Sequence, residues 1–410
     1  MKLISFLGNG NYERCHYLVG EAPYETNLFP VALSHVSAPD QLLAMVTDAA
    51  KAKWFGPLVD AMFTASHYTE VIPVRIPDGK SEAELWEIFE AMAQRLDEGD
   101  EVMFDITHGY RSLPMLAFLA CQYLSVVKHI RLAGVYYGAY EARDRFNLAP
   151  VFDMTAFADL AKWSAATQAY LKHGDARSLA ELLGDQTRAL ARAAIGRGEA
   201  PPQHLPRLER LFSELANAVN LARPREVMDI AFRLRAVLPE AESEVRSLVP
   251  PLAVLLEKIR SDVSSIACAD PGATEPGLAA QRRLVEWYAA KSMWMQAATL
   301  AREWVVSAVC FSCGLDWLAE RDRIEAALNG NAIMKQGRTS NAPEDVAAAL
   351  TALDPNGDIT REWSRLSDLR NDINHAGMRR EKTETAKLVR RIEKLPESLK
   401  RIADICGHTE

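Results

Sequence analysis

Near the C-terminal end, Trp363-Ser-Arg-Leu-Ser-Asp-Leu-Arg-Asn-Asp-Ile-Asn-His375 sets a guanidinium, Arg370, and an imidazole, His375, with four residues between them. Asn371 and Asn374 lie between them. Arginine is a fixed cation whose planar fork matches phosphate. Histidine is the side chain best suited to moving a proton at neutral pH. Together they match what RNA strand scission needs when the 2′-hydroxyl attacks its own phosphate. A proton must leave the hydroxyl, a charged phosphorane must be stabilised, and no metal is required. The two asparagines could orient either group. The plain alternative is an exposed arginine and a helix-end histidine with no chemistry attached.

The element that must hold these groups is a helix. Leu366, Leu369 and Ile373 recur at i, i+3 and i+7 and make one apolar stripe. At about 100° per residue, Arg370, Asn374, Asn371 and His375 follow one another round the adjacent flank. Gly377 is the expected stop at C′, which places His375 in the last turn.

The chain has 410 residues, 49% hydrophobic and 25% charged, so two or three domains with sizeable cores are expected. No apolar run reaches the roughly 20 residues of a membrane span. Met1–Leu7 is too short for a signal peptide and reads as a strand. The six cysteines form no disulfide framework, and the lone Cys310-x-x-Cys313 reads as core thiols, not a zinc site. The cytoplasm is the expected compartment. The net charge of −8 argues against a general nucleic-acid coat. Residues 1–150 hold 12 basic against 19 acidic residues, and residues 361–410 hold 12 against 9. A polyanion bound by the first part must therefore be held by local geometry.

Strand and helix signals alternate through the first 155 residues: strands at Leu3–Leu7, Phe29–Val36, Leu42–Val46, Val71–Ile76, Glu101–Ile106 and Ile130–Tyr137, with helices between the later ones. This pattern predicts an α/β, Rossmann-like, mostly parallel doubly wound sheet over 1–155. Ligands on such sheets bind beyond the carboxyl ends of the strands. From Met154 the chain reads as all-α: Phe157–Leu171, Ser178–Ile195, Leu205–Ala222, Pro224–Leu238, Ser243–Ser265 and Leu284–Leu318. The Pro- and Gly-rich stretch Ala267–Gly277 is the clearest linker. The expected plan is a Rossmann-like domain over 1–155, a helical connecting region over 156–277 and a helical final domain over 278–410.

Two loops of the first domain could hold an anion. Gly8-Asn9-Gly10-Asn11-Tyr12 follows a strand, and its glycines allow a tight turn with backbone amides facing a phosphate. Glu13 stands where a dinucleotide fingerprint needs its third glycine. Asp105-Ile-Thr-His108-Gly109-Tyr110-Arg111-Ser112-Leu-Pro114 is strand, turn, arginine and helix start. Free amides at that helix start, with Arg111 beside them, make an anion site. An Arg111 paired with Asp105 or Asp48 is the structural alternative.

These three stretches, in this order, resemble CRISPR-associated CARF–HEPN ribonucleases of type III systems. Arg370–His375 resembles the HEPN motif, an arginine, a short run opening on a polar residue, then a histidine. Gln296-Ala-Ala-Thr-Leu-Ala-Arg-Glu-Trp304 is similar to the helix that precedes the catalytic helix in that family. The resemblance covers both ends and is weakest from 175 to 275. It implies a CARF sensor that dimerises, binds a cyclic oligoadenylate and activates a HEPN endoribonuclease. Carried over by position, Gly8, Asn9, Gly10, Asn11 and Tyr12 would line one wall of the ring site. Thr47 and Asp48 would lie nearby, and His108, Gly109, Tyr110, Arg111 and Ser112 would hold phosphate or ribose. Arg370 and His375 would be catalytic, supported by Asn371 and Asn374, with no metal and no cofactor. Single-stranded RNA would be cut to 2′,3′-cyclic phosphate ends. Cyclic tetra-adenylate is the expected activator, with cyclic hexa-adenylate as the alternative. The partners implied are the RNA, the ring and a second copy, with higher oligomers open and no membrane. A ligand-sensing module that binds a partner without catalysis is the alternative function. A nucleotide-cofactor enzyme is disfavoured by Glu13.

Overall fold

The computed structural model describes residues 1–20, 22–65, 69–109, 112–335, 342–378 and 383–408. They fall into two compact units, Met1–Lys162 and Trp163–Glu410.

The first unit runs β1 (Lys2–Leu7), β2 (Cys15–Val19), β3 (Ala22–Thr26), α1 (Phe29–Ser37), β4 (Gln41–Val46), α2 (Asp48–Ala50) and a π-helical turn over Lys51–Phe55. It continues through α3 (Gly56–Ala65), β5 (Glu70–Arg75), α4 (Glu82–Ala93), β6 (Glu101–Asp105), α5 (Ser112–Val127), β7 (Arg131–Gly138) and β8 (Leu148–Asp153). Parallel pairing of β1 with β4 and β6, of β4 with β5 and of β6 with β7 gives the order β7-β6-β1-β4-β5. Strands β8, β2 and β3 extend it beyond β7, with antiparallel contacts at β7–β8 and β2–β3.

Alternate residues of the central strands supply two cores. Leu3, Leu42, Ala44 and Val46 pack against α1 and α3. Ile4, Phe6, Leu43 and Met45 pack against α4 and α5. A strand covered on both faces must be apolar at nearly every position, which β1 and β4 are. The sheet is therefore doubly wound as expected. Its direction of winding reverses at β1, with β4 on one side and β6 on the other, and this switch point is where a crevice opens.

Two readings of this unit change. Phe29–Val36 is helical: Pro30 sits in its first turn, where no N–H is missed, and Phe29 to Ser34 are all buried. The β2–β3 hairpin and β8 are additional strands. At the start of α4 the Ser81 hydroxyl accepts from the Glu84 amide at 3.2 Å and the Glu84 carboxylate accepts from the Lys80 amide at 2.9 Å.

The second unit is helical: α6 (Thr155–His173), α7 (Arg177–Gly196), α8 (Leu205–Asn220), α9 (Pro224–Leu248), α10 (Pro250–Ile266), α11 (Glu275–Ala290), α12 (Trp294–Ser312), α13 (Arg321–Lys335), α14 (Glu344–Leu353), α15 (Asp358–Asn374), α16 (Thr385–Glu393) and α17 (Leu395–Ile405). One buried apolar cluster runs from Trp163 to Cys406. The expected break at Leu238 is absent, and α9 carries Pro239 inside it. The break falls at Val249, where Pro250 and Pro251 open the next helix. Conversely, the single helix read over Leu284–Leu318 is two helices, parted by a turn in which Ser292 takes φ 58°. Among the described residues no helix is long and apolar enough to cross a membrane.

Candidate functional site

In the first unit, the loops that leave β1 and β6 meet at the switch point. They frame a crevice of about 450 Å³ whose walls include the whole Gly8–Tyr12 turn, Thr107, His108 and Gly109. The turn is closed by Tyr12: its hydroxyl accepts from the Gly8 amide at 2.8 Å and donates to the Gly8 carbonyl at 3.0 Å. Burial pushes that phenol up to about 12, so it stays a neutral hydrogen-bonding group. Two side chains from the π-helical turn brace the loop from outside. Lys53 donates to the Asn9 carbonyl at 3.0 Å and to Asn11 Oδ1 at 2.7 Å. Trp54 donates to the Gly10 carbonyl at 2.9 Å. The Tyr12 ring lies between Trp54, 4.7 Å away, and His108, 4.2 Å away. A third wall comes from the end of β7: Gly138 and the residues Tyr140 and Glu141 just beyond it. A side chain at Gly138 would collide with Phe29 and Tyr17, within 2.8 Å of its Cβ, so the crevice floor requires glycine.

Two buried titratable groups lie beneath the second loop. Asp105 ends β6, accepts from the Ser5 hydroxyl at 2.6 Å and from the Thr107 amide at 2.8 Å, and is fully buried. Burial raises its carboxyl to about 6, against the pull of those hydrogen bonds. His108 accepts the Phe29 amide, the first of α1, on Nε2 at 3.1 Å. That fixes the neutral tautomer with its proton on Nδ1, and burial lowers the imidazole to about 4.

In the second unit, α15 is fixed at both ends. At its start the buried Asp354 carboxylate accepts from the Asp358 amide at 2.6 Å and the Thr360 amide at 3.1 Å. Along its length Leu366 and Leu369 are buried, and Trp363 donates to Asn329 Oδ1 at 2.8 Å. The Arg302 guanidinium lies 4.4 Å over the Trp363 ring and is held by Glu325 at 2.7 Å and Glu303 at 3.0 Å. At its end the Gly377 amide donates to the Asp372 carbonyl at 3.3 Å and the Ala376 amide to the Ile373 carbonyl at 3.0 Å. This is a Schellman stop with Ala376, φ 53°, at C′ and Gly377 one place further. His375 is thus the C-cap itself, one residue beyond the last turn expected for it. His375 and Asn374 are exposed, while Arg370 and Asn371 are half-buried. Among the described residues, Arg370 Nε is shielded from solvent without a hydrogen-bond partner, as is Ser367 Oγ one turn earlier. An unpaired guanidinium N–H is a strained placement that an incoming acceptor would relieve.

Residues 2–141 match the family model for the CARF domain of CRISPR system endoribonuclease Csx1. The first unit is a CARF domain. Residues 159–266 match the model for the second domain of CRISPR-associated protein MJ1674. CRISPR-associated protein MJ1674 of Methanocaldococcus jannaschii is 26% identical over 116 residues, which are 28% of this chain and 18% of that protein, so the chain spans under a fifth of its relative's length. The solved structure of Enterococcus italicus Csm6 bound to cyclic hexa-2′-fluoro-hexa-dAMP aligns over 100% of this chain and 95% of its own, with 9% identity and a TM-score of 0.40.

The CARF crevice gathers most of the residues expected there: Gly8, Asn9, Gly10, Asn11, Tyr12, His108 and Gly109. Thr47 and Asp48 do not line it. The Thr47 hydroxyl caps α2 by accepting from the Ala50 amide at 3.2 Å, and Asp48 pairs with Arg75 at 2.7 Å. Ser112 begins α5. Tyr110 and Arg111 lie outside the described residues. Lys53 and Trp54 were not foreseen, because nothing local marks a contact across 44 residues. Tyr140 and Glu141 were findable: the rule that ligands sit past strand ends applies to β7 as well. Among the described residues no group of three or more His, Cys, Asp or Glu is placed to hold a metal ion.

Proposed function

We propose that the protein is a CRISPR-associated ribonuclease gated by a cyclic oligoadenylate. The CARF crevice takes the ring, cyclic tetra-adenylate first and cyclic hexa-adenylate second, and the Arg370–His375 helix cleaves single-stranded RNA without a metal. The observation that carries the reading is the crevice itself: a glycine turn and a second strand-end loop meeting at the switch point of a CARF domain. Arg111, from its place after Gly109, is the phosphate-binding cation.

In the cleavage step His375 takes the proton from the RNA 2′-hydroxyl, whose oxygen then bonds to the adjacent phosphorus. The P–O5′ bond breaks and the departing O5′ takes a proton from solvent water, leaving a 2′,3′-cyclic phosphate and a 5′-hydroxyl end, while His375 returns its proton to solvent. Arg370 stabilises the phosphorane charge, the kind of electrostatic help that is worth about 10²–10³ in rate. Asn371 and Asn374 orient the two groups. One Arg370 and one His375 are sparse for a whole site, and a two-fold axis would bring a second pair. A row of exposed apolar side chains on α5, Met115, Leu119, Tyr123 and Val126, supports a homodimer through the CARF domain.

The test is cleavage of a labelled single-stranded RNA in EDTA, with and without each ring. The expected result is ring-stimulated cleavage that survives EDTA and leaves cyclic phosphate ends. Ring binding without any cleavage would instead make the chain a sensing module, and activity restored only by manganese would make it a metal nuclease.

A further inference from the structure

Beside the Arg370–His375 helix, the second unit holds a cavity of about 530 Å³, within the usual range of small-molecule sites. One wall is Ile373, which lies on α15 between Arg370 and the exposed Asn374. The rest of the apolar lining is Leu388, Val389 and Ile392 of α16 and Met293, Trp294 and Met295 at the start of α12. Trp294 is half-buried.

The polar groups of this cavity narrow the occupant. Its two charged residues are already neutralised. Lys291 is buried, pairs with Asp262 at 2.8 Å, donates to the Leu171 carbonyl at 3.1 Å and lies 5.0 Å over the Trp287 ring. Asp175 is held by Arg177 at 2.9 Å. No phosphate is invited by such a lining. His173, Asn220, Ser292, Gln296 and Thr385 remain, and among the described residues the side chains of Asn220, Ser292, Gln296 and Thr385 make no hydrogen bond. Two primary amides and two hydroxyls supply donors and acceptors without charge. An indole face with neutral hydrogen-bonding groups around it is the chemistry that receives a splayed-out nucleobase of single-stranded RNA.

We propose that this cavity is a nucleobase subsite, which seats one unstacked base of the RNA next to the phosphate cut at Arg370 and His375. Trp294 stacks on the base, and Gln296 and Asn220 read its edge. The proposal rests on the ribonuclease reading above and gives it a source of sequence preference.

Two measurements on the full chain test it. The first maps cleavage positions on a mixed-sequence single-stranded RNA. The second measures affinity for a non-cleavable 2′-fluoro RNA of a preferred sequence by fluorescence anisotropy, which needs no catalysis. Trp294→Ala should weaken that binding about tenfold, and Trp294→Phe, which keeps an aromatic face and the packing, should weaken it much less. Gln296→Ala, at a half-exposed position, should flatten the base preference at the cut site. Preference and affinity unchanged in Trp294→Ala and Gln296→Ala, with the wild type cleaving RNA, would overturn the subsite and leave the ribonuclease reading standing. A wild type that binds the 2′-fluoro RNA through Trp294 yet never cleaves would overturn the ribonuclease reading alone.

Discussion

At the scale of single residues, the CARF crevice is built over two buried groups whose proton equilibria oppose each other. The folded value of His108, about 4, lies below its ordinary 6.5. The folded chain therefore holds fewer protons than the unfolded one between those values. His108 adds stability as pH rises through that window and withdraws it as pH falls. Asp105 is displaced the other way, to about 6 from 3.8. It adds stability at low pH and withdraws it as pH rises toward 6. Each shift corresponds to about 3 kcal/mol, so the two slopes largely cancel between pH 4 and 6. Removing either partner should expose the other. Relative to wild type, His108→Asn should lose stability on going from pH 4.5 to 7, and Asp105→Asn should gain it. Urea unfolding at the two pH values reads this, and identical offsets at both would contradict the burial argument. None of this was legible in the sequence, where His108 stood as a ligand-facing residue. Its role in receiving the Phe29 amide depends on α1, which in the sequence reads as a strand.

At the scale of elements, the sequence marks the central strands because parallel strands buried on both faces are apolar throughout. The same property hid α1. Six successive buried residues, Phe29 to Ser34, carry no 3.6-residue rhythm to separate a buried helix from a buried strand. In α15 the stripe Leu366, Leu369, Ile373 correctly gave the helix and the flank, but its end was placed one residue late. The sequence points to Gly377 as the left-handed residue, whereas Ala376 holds φ 53°. Left-handed backbone costs an alanine about 1–2 kcal/mol, partly offset by the greater freedom glycine loses on folding. Ala376→Gly should thus stabilise the second unit by about 0.5–1 kcal/mol, visible as a rise of roughly 2 °C in melting temperature. A fall in melting temperature would show that the helix does not end in this way. The braces on the other side of α15, Arg302 against Trp363 and Glu325, were also out of reach, since they join residues 23 to 61 positions apart.

At the scale of the whole molecule, the account needs two copies and communication between two sites at opposite ends of the sequence. The exposed row on α5 predicts the first. Leu119→Lys should place a charge in an apolar contact, yielding monomers by light scattering and loss of ring-stimulated cleavage. A variant that stays dimeric would move the interface elsewhere. Communication requires that the ring bind the active arrangement more tightly than the idle one. The two sites should then separate under mutation. Arg111→Ala should abolish ring binding and spare any basal cleavage.

The most direct measurement pairs ring affinity with single-turnover cleavage of single-stranded RNA in the wild type and in His375→Ala. The account predicts that the variant binds cyclic tetra-adenylate about as well as wild type and cleaves at least a hundredfold more slowly, the usual scale for removing a group that transfers a proton in the rate-limiting step. Ligand-activated cleavage by His375→Ala at the wild-type rate would contradict it.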